Sequence, residues 1–328
     1  MKNSNRDFSL DLLRALACLM VLGVHIGQRF MLPGTIGSFF EKGSTGVGFF
    51  FILSGYLGYV SLEKEFSRSK DSFAAVRIFY VKRAVHVLPL YYFVICFYFI
   101  FFTVRNRVPE DSSGLYWVRY IFFLNRWVPT DSEFWINLGA TWSISVFVLF
   151  YILAPVIFML VKRDYVAGIL AIVFYVALRL LGNNATPIMY MFFFFLGILV
   201  YLSEKEGNTI WVISAECMLV LICVLTDSGN SLVAPVIASM YLLASRGNKL
   251  VLSEKNLVYK VVTGISAVSY SIYLVHILVF TVLDELWRTY DVGYLVMFVL
   301  ATTLLTILSY YFVEKKLSGK LLRVMLKK

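Results

Sequence analysis

Charge is scarce in this chain. Asp, Glu, Lys and Arg together make 15% of its 328 residues, where a soluble domain carries about a quarter. Hydrophobic residues make 60%, and mean hydropathy is +0.78. That much apolar surface exceeds what a soluble core of this size can hide, so the bilayer is its solvent. Cysteine is scarce too. Cys18, Cys96, Cys217 and Cys223 all lie in apolar runs with no CxxC spacing, which excludes a disulfide framework and a cysteine metal site. No Pro/Gly/Ser-rich linker, low-complexity tract or fixed-period repeat divides the chain, so one polytopic membrane domain over 1–328, with no fused soluble module, is expected. The first apolar stretch carries Asp11 and Arg14 and lacks a small-residue cleavage site. A cleaved leader is therefore not expected.

What the chain does have is an excess of positive charge, +10 from 30 Lys plus Arg against 20 Asp plus Glu. In a soluble protein that would point to nucleic acid. In a membrane protein, basic residues gather in cytoplasmic loops, and nucleic-acid binding is not expected. A spanning helix needs roughly 20 mostly apolar residues. Candidate spans lie near 8–30, 45–62, 84–104, 138–162, 165–182, 187–203, 210–226, 231–246, 260–283 and 293–313. The fold class is thus an all-α integral membrane bundle of about ten transmembrane helices. Placing the N-terminus inside puts 21 Lys and Arg on the inner side and eight on the outer, which predicts both termini in the cytoplasm. The long outer loop near 105–137, with LYWVRYIFFLNRW, has the aromatic content of an interfacial segment.

Ionisable side chains inside a span cost about 2.5–3.5 kcal/mol each on insertion scales and commonly mark function. The first span holds three. Asp11 and Arg14 are three positions apart, on one face, as an ion pair. From Arg14 to His25 the helix turns about 1100°, or about 20° net, so His25 shares that face three turns on. Two readings stand for the pair: an anchor near the inner interface, or part of a site. For His25 the readings are a packed core histidine or a proton-transfer group, for which its near-neutral ordinary pKa suits it.

The order of motifs resembles the acyltransferase-3 family of membrane proteins. FSLDLLRALACLMVLGVH resembles its opening helix, with an Arg eleven positions before a His. GVGFFFILSGYL, with Ser54 and Gly55, is similar to its second-helix signature. FYVKRAVHVLPLYY resembles the basic stretch before its third helix, ending at Pro89. TWSISVFVLFYILAP resembles its Trp-Ser segment, with Trp142 and Ser143. SAVSYSIYLVH, with His276, resembles its late Ser-Tyr helix, and YYFVEKK, with Glu314, its tail. The resemblance implies transfer of an acyl group, often acetyl from acetyl-CoA, to a hydroxyl of a cell-envelope carbohydrate. It implies acyl-CoA as donor substrate with no bound cofactor, a bacterial inner or plasma membrane location, and a carbohydrate acceptor, with room for a partner protein that delivers the acceptor.

Under that resemblance His25 is the expected general base. Arg14 is expected to bind donor phosphate or an oxyanion, oriented by Asp11. Lys82 and Arg83 are expected at the CoA phosphates, set against plain positive-inside topology. His86, Ser54, Trp142 and Ser143 complete the candidate substrate-binding set, although helix capping suits His86 and close helix approach suits Ser54. Ser54 lacks the G-x-S-x-G turn of a nucleophile elbow. Core packing competes with function at His276. Three positions depart from the family pattern: Phe147 where a Glu is usual, His86 where an Arg is usual, and Gly48 where an Asp is frequent. Glu216, in the seventh span, is an acid outside the motifs. The competing functions are a transporter or flippase for a lipid-linked glycan, and a non-catalytic membrane partner.

Overall fold

The computed structural model describes residues 7–105, 115–124, 141–182, 186–226, 233–247, 252–287 and 289–326. Thirteen α-helices are found among them: α1 (Phe8–Phe30), α2 (Gly34–Glu41), α3 (Gly46–Arg68), α4 (Ser72–Val104), α5 (Leu115–Ile121), α6 (Trp142–Leu160), α7 (Asp164–Leu181), α8 (Met191–Glu206), α9 (Ile210–Leu225), α10 (Val233–Gly247), α11 (Leu257–Leu286), α12 (Val292–Ser309) and α13 (Ser318–Leu326). A π-helical run, Tyr310–Leu317, joins α12 to α13. No strand occurs among the described residues.

Among the described residues, eight helical stretches are long and apolar enough to cross a bilayer, and the protein is a multi-pass membrane protein. Each of the ten segments read from the sequence falls on a helix. The seventh and eighth, however, are the shorter apolar helices Ile210–Leu225 and Val236–Ser245. At 1.5 Å per residue, the 16 residues of α9 reach about 24 Å, short of a hydrocarbon core of about 30 Å. Aspartate side chains cap the starts of three helices. Asp7 accepts from the Ser9 and Leu10 amides, Asp71 from Ala74 and Asp291 from Tyr294, satisfying amides that have no partner within the helix. The loop read as interfacial is described only in part. Its helix α5 is held by Tyr91 and Tyr92, whose hydroxyls donate to the carbonyls of Tyr120 and Ile121, and the remainder lies outside the described residues.

The chain forms two compact units that interleave in sequence: residues 1–64 with 153–269, and residues 65–152 with 270–328. In the first unit, α3 and α8 cross at contact distance. A Cβ at Gly55 would lie 2.2 Å from the Phe194 carbonyl oxygen, and one at Gly197 would lie 2.0 Å from that of Ile52. The small residue that lets the backbones meet is therefore Gly55, with Ser54 half-buried beside it. Polar residues tie the ends of these helices together. Tyr56 donates to Glu204 at 2.6 Å, and Tyr201 and Lys205 both donate to Glu63. Lipid offers such groups no substitute partner.

In the second unit, α4 runs 33 residues and contains Pro89. There α11 and α12 pack together, with Phe280 stacked on Phe298, ring centroids 4.0 Å apart. Tyr98 bonds Thr281 at 3.0 Å across α4 and α11. The tail helix α13 docks on α4, where Ser318 donates to the Val85 carbonyl and Arg77 to that of Met325.

Candidate active site

The first unit holds the polar face of α1. Asp11 is buried, at 4% exposure. Its Oδ1 lies 3.5 Å from the Arg14 guanidinium and accepts from Ser266 Oγ at 2.5 Å. The same hydroxyl accepts from Arg14 at 3.1 Å. A serine hydroxyl has one donor proton and two lone pairs, so it closes this circuit without leaving a charge unmet. Ser266 lies in the motif SAVSYSIYLVH. Its role was not foreseen from the sequence, since nothing in the spacing singles out one serine among several on that helix. The ion pair expected between Asp11 and Arg14 is present, and a third residue on α11 completes it.

His25 lies three turns further along α1, about 16 Å from Arg14 at 1.5 Å per residue. It is half-buried. Its Nδ1 is 3.2 Å from Gln28 Oε1. An amide oxygen only accepts, so Nδ1 carries the proton, and in the neutral ring the basic lone pair belongs to Nε2. Gln28 thus performs the orienting job that a base requires, one helical turn away at i+3. Also in this unit, Glu216 is buried at 1% exposure and accepts from Ser239, joining α9 to α10.

The second unit holds the other candidates. Lys82 and Arg83 are neighbours in sequence but differ in environment. Lys82 Nζ bonds Glu65 Oε1 at 2.6 Å, and Glu65 is nearly buried. Arg83 instead lies over two rings, its guanidinium carbon 5.2 Å from the centroids of both Phe79 and Tyr151. Among the described residues no carboxylate pairs with it, and its Nε is buried without a hydrogen-bond partner. Phe147, at the place where the family usually has Glu, stacks on Tyr151 at 6.3 Å. The aromatic floor beneath Arg83 thus continues where a negative charge is usual. His86 is exposed, with its ring 5.2 Å from that of Tyr270.

Ser143 is fully buried and its hydroxyl is 2.6 Å from that of Tyr273. Trp142, beside it, is half-buried. A narrow cleft nearby is lined by Val94, Tyr98, Thr141, Tyr273, Leu274 and Ile277. His276 is buried, its Nδ1 2.8 Å from the Ile272 carbonyl oxygen one turn back. Glu314, on the π-helical run, accepts from Ser271. Among the described residues no group of three His, Cys, Asp or Glu is placed to hold a metal.

Asp11, Arg14, His25 and Ser54 therefore belong to one unit, while Lys82, Arg83, His86, Trp142 and Ser143 belong to the other. Each set carries fixed charge and hydroxyl groups inside apolar helices, where such groups are costly and usually functional. No curated protein and no solved structure matches the chain. A family model described as an acyltransferase domain, family 3, matches residues 7–314. That range begins at the cap of α1, ends at Glu314 and takes in every candidate residue above, so the chain belongs to the acyltransferase-3 family.

Proposed function

We propose that the protein transfers an acyl group, acetyl from acetyl-CoA, to a hydroxyl of a cell-envelope or exopolysaccharide sugar, with His25 as general base. The observation that carries this reading is the closed Asp11–Arg14–Ser266 circuit, with His25 oriented by Gln28 on the same helix. Acyl transfer needs a base for the acceptor proton and positive charge for the thioester oxygen or the donor phosphates. Nε2 of His25 takes the hydroxyl proton as the sugar oxygen attacks the thioester carbonyl. The tetrahedral intermediate collapses, the C–S bond breaks, and the imidazolium returns its proton to the departing CoA thiolate. Arg14, held in one orientation by Asp11 and Ser266, offers its planar donors to phosphate or the oxyanion. Arg83, whose guanidinium no carboxylate among the described residues neutralises, is the second phosphate candidate, with Lys82 beside it already engaged by Glu65. Trp142, Ser143, Ser54 and His86 are assigned to substrate contacts.

The same reading places ten crossings in a bacterial inner or plasma membrane, with both termini in the cytoplasm, where acyl-CoA is found. The charge asymmetry supports that orientation. Labelled acetyl-CoA incubated with membranes carrying wild type or His25→Ala, at matched protein levels, tests the reading. Label in envelope carbohydrate with wild type, reduced about 10²–10⁴-fold in the variant, is expected of a lost general base. Transfer by His25→Ala within twofold of wild type removes His25 from the role. No transfer by folded wild type favours a glycan flippase or a non-catalytic partner.

A further inference from the structure

We infer that Ser318 and Tyr270 are positioning residues for Arg83, holding the α4 turn from which its side chain projects. The inference rests on the reading of Arg83 as a donor-phosphate group. Its physical basis is Pro89. A proline has no amide hydrogen, so the Val85 carbonyl, four residues earlier, loses its helical donor. Val85 is buried, so water does not serve that carbonyl and a neighbouring element must. Ser318 does so. Its hydroxyl donates to the Val85 oxygen at 2.7 Å, and the residue is buried at the first position of α13. Tyr270, from α11, donates to the Val87 oxygen in the same turn, also at 2.7 Å, and its ring lies by that of His86. Two hydroxyls from two separate elements thus converge on the one turn that the proline opens.

Arg83 lies two residues before Val85. Ring faces are broad attractors that fix a guanidinium less sharply than a paired carboxylate does. The aim of Arg83 is therefore inherited from its backbone, and the two hydroxyls set that backbone. Ser318 lies beyond the residues that the family model matches, 7–314.

The test is a double-mutant cycle on purified protein in detergent. It combines Pro89→Ala with Ser318→Ala and follows both melting temperature and the KM for acetyl-CoA. Ser318→Ala alone is expected to lower the melting temperature. It should also raise KM about three- to tenfold, the effect of one lost hydrogen bond, with kcat within twofold. Tyr270→Phe should act in the same direction, and Ser318→Thr should restore both values. In Pro89→Ala the amide at position 89 returns and Val85 no longer needs Ser318, so adding Ser318→Ala should change little. Additive melting effects in the cycle overturn the capping. Coupled melting with an unchanged KM in Ser318→Ala overturns the positioning while the capping stands. A wild type that binds no acetyl-CoA overturns the donor reading and this role with it, and the melting cycle still reports on the cap.

Discussion

The two units carry positive charge into the membrane region in opposite ways. In the first, Arg14 is met by a carboxylate and a hydroxyl, and the circuit is closed. In the second, Arg83 lies over Phe79 and Tyr151 with no carboxylate among the described residues, and aromatic packing continues through Phe147. A closed circuit fixes the direction of Arg14's remaining donors while meeting part of its charge; an arginine cushioned by rings keeps its charge and its hydrogen-bonding fork for an incoming anion. The difference teaches that burial of charge alone does not rank two candidate ligand sites. What separates the two is how much counter-charge the protein has already supplied.

The comparison breaks most severely at Asp11. Asp11→Ala removes the buried carboxylate 3.5 Å from the half-buried Arg14 guanidinium. The expected loss is about 3–5 kcal/mol, the usual cost of stranding one member of a buried pair, seen as a large drop in melting temperature in detergent. Next comes Lys82→Met, which strands the nearly buried Glu65 and should cost about 1–3 kcal/mol with little effect on the KM for acetyl-CoA. Arg83→Met should do the reverse. Its loss of ring contact costs stability about 0.5–1 kcal/mol, whereas KM for acetyl-CoA should rise about tenfold, the loss expected from one charge-assisted contact. Equal KM effects at Lys82 and Arg83 would erase the distinction between them. The smallest effect belongs to Asp291, outside the spans. The Tyr294 amide holds its carboxyl below the usual carboxylate range. A depressed value stabilises the α12 cap above the ordinary carboxylate pKa of about 4, and that contribution fades as pH falls through the lower folded value. Protection of the amides at the start of α12, relative to intrinsic exchange at each pH, should therefore fall on acidification below about pH 4 in wild type and stay level in Asp291→Asn.

Much of the helical layout is legible in the sequence, because a membrane span is a long apolar run and hydropathy finds it directly. The ten runs all fall on helices. Their full lengths are less legible. α4 and α11 extend well past their apolar parts, to 33 and 30 residues, since polar residues at the membrane edge prolong a helix as readily as they end it. The short helix α2 and the 3₁₀ turn Lys42–Thr45 before α3 are each too short to read as a separate span.

Within the candidate site, residues paired by helical spacing were readable. Asp11 and Arg14 at i and i+3 are of this kind. Partners distant in sequence were not. Ser266, Glu65 and Tyr151 are common residue types whose importance appears only when packing brings them beside a charge. Lys82 and Arg83 look interchangeable as a basic pair in sequence, and only their surroundings assign them different work. Phe147 is the reverse case. The departure from the family pattern was visible in sequence, but its effect, a longer aromatic floor beneath an arginine, required the fold.

The Asp11–Arg14–Ser266 circuit also imposes an order on biosynthesis. Ser266 is 255 residues downstream of Asp11. At about 5–20 residues per second, the ribosome takes roughly 13–50 seconds to cover that interval. Throughout that time α1 must reside in or near the bilayer with its two charges relying on each other. The three-residue spacing is what makes this tolerable: acid and base are released in the same helical turn and neutralise one another at once. The serine arrives later, as a latch on a pair that has already entered the membrane.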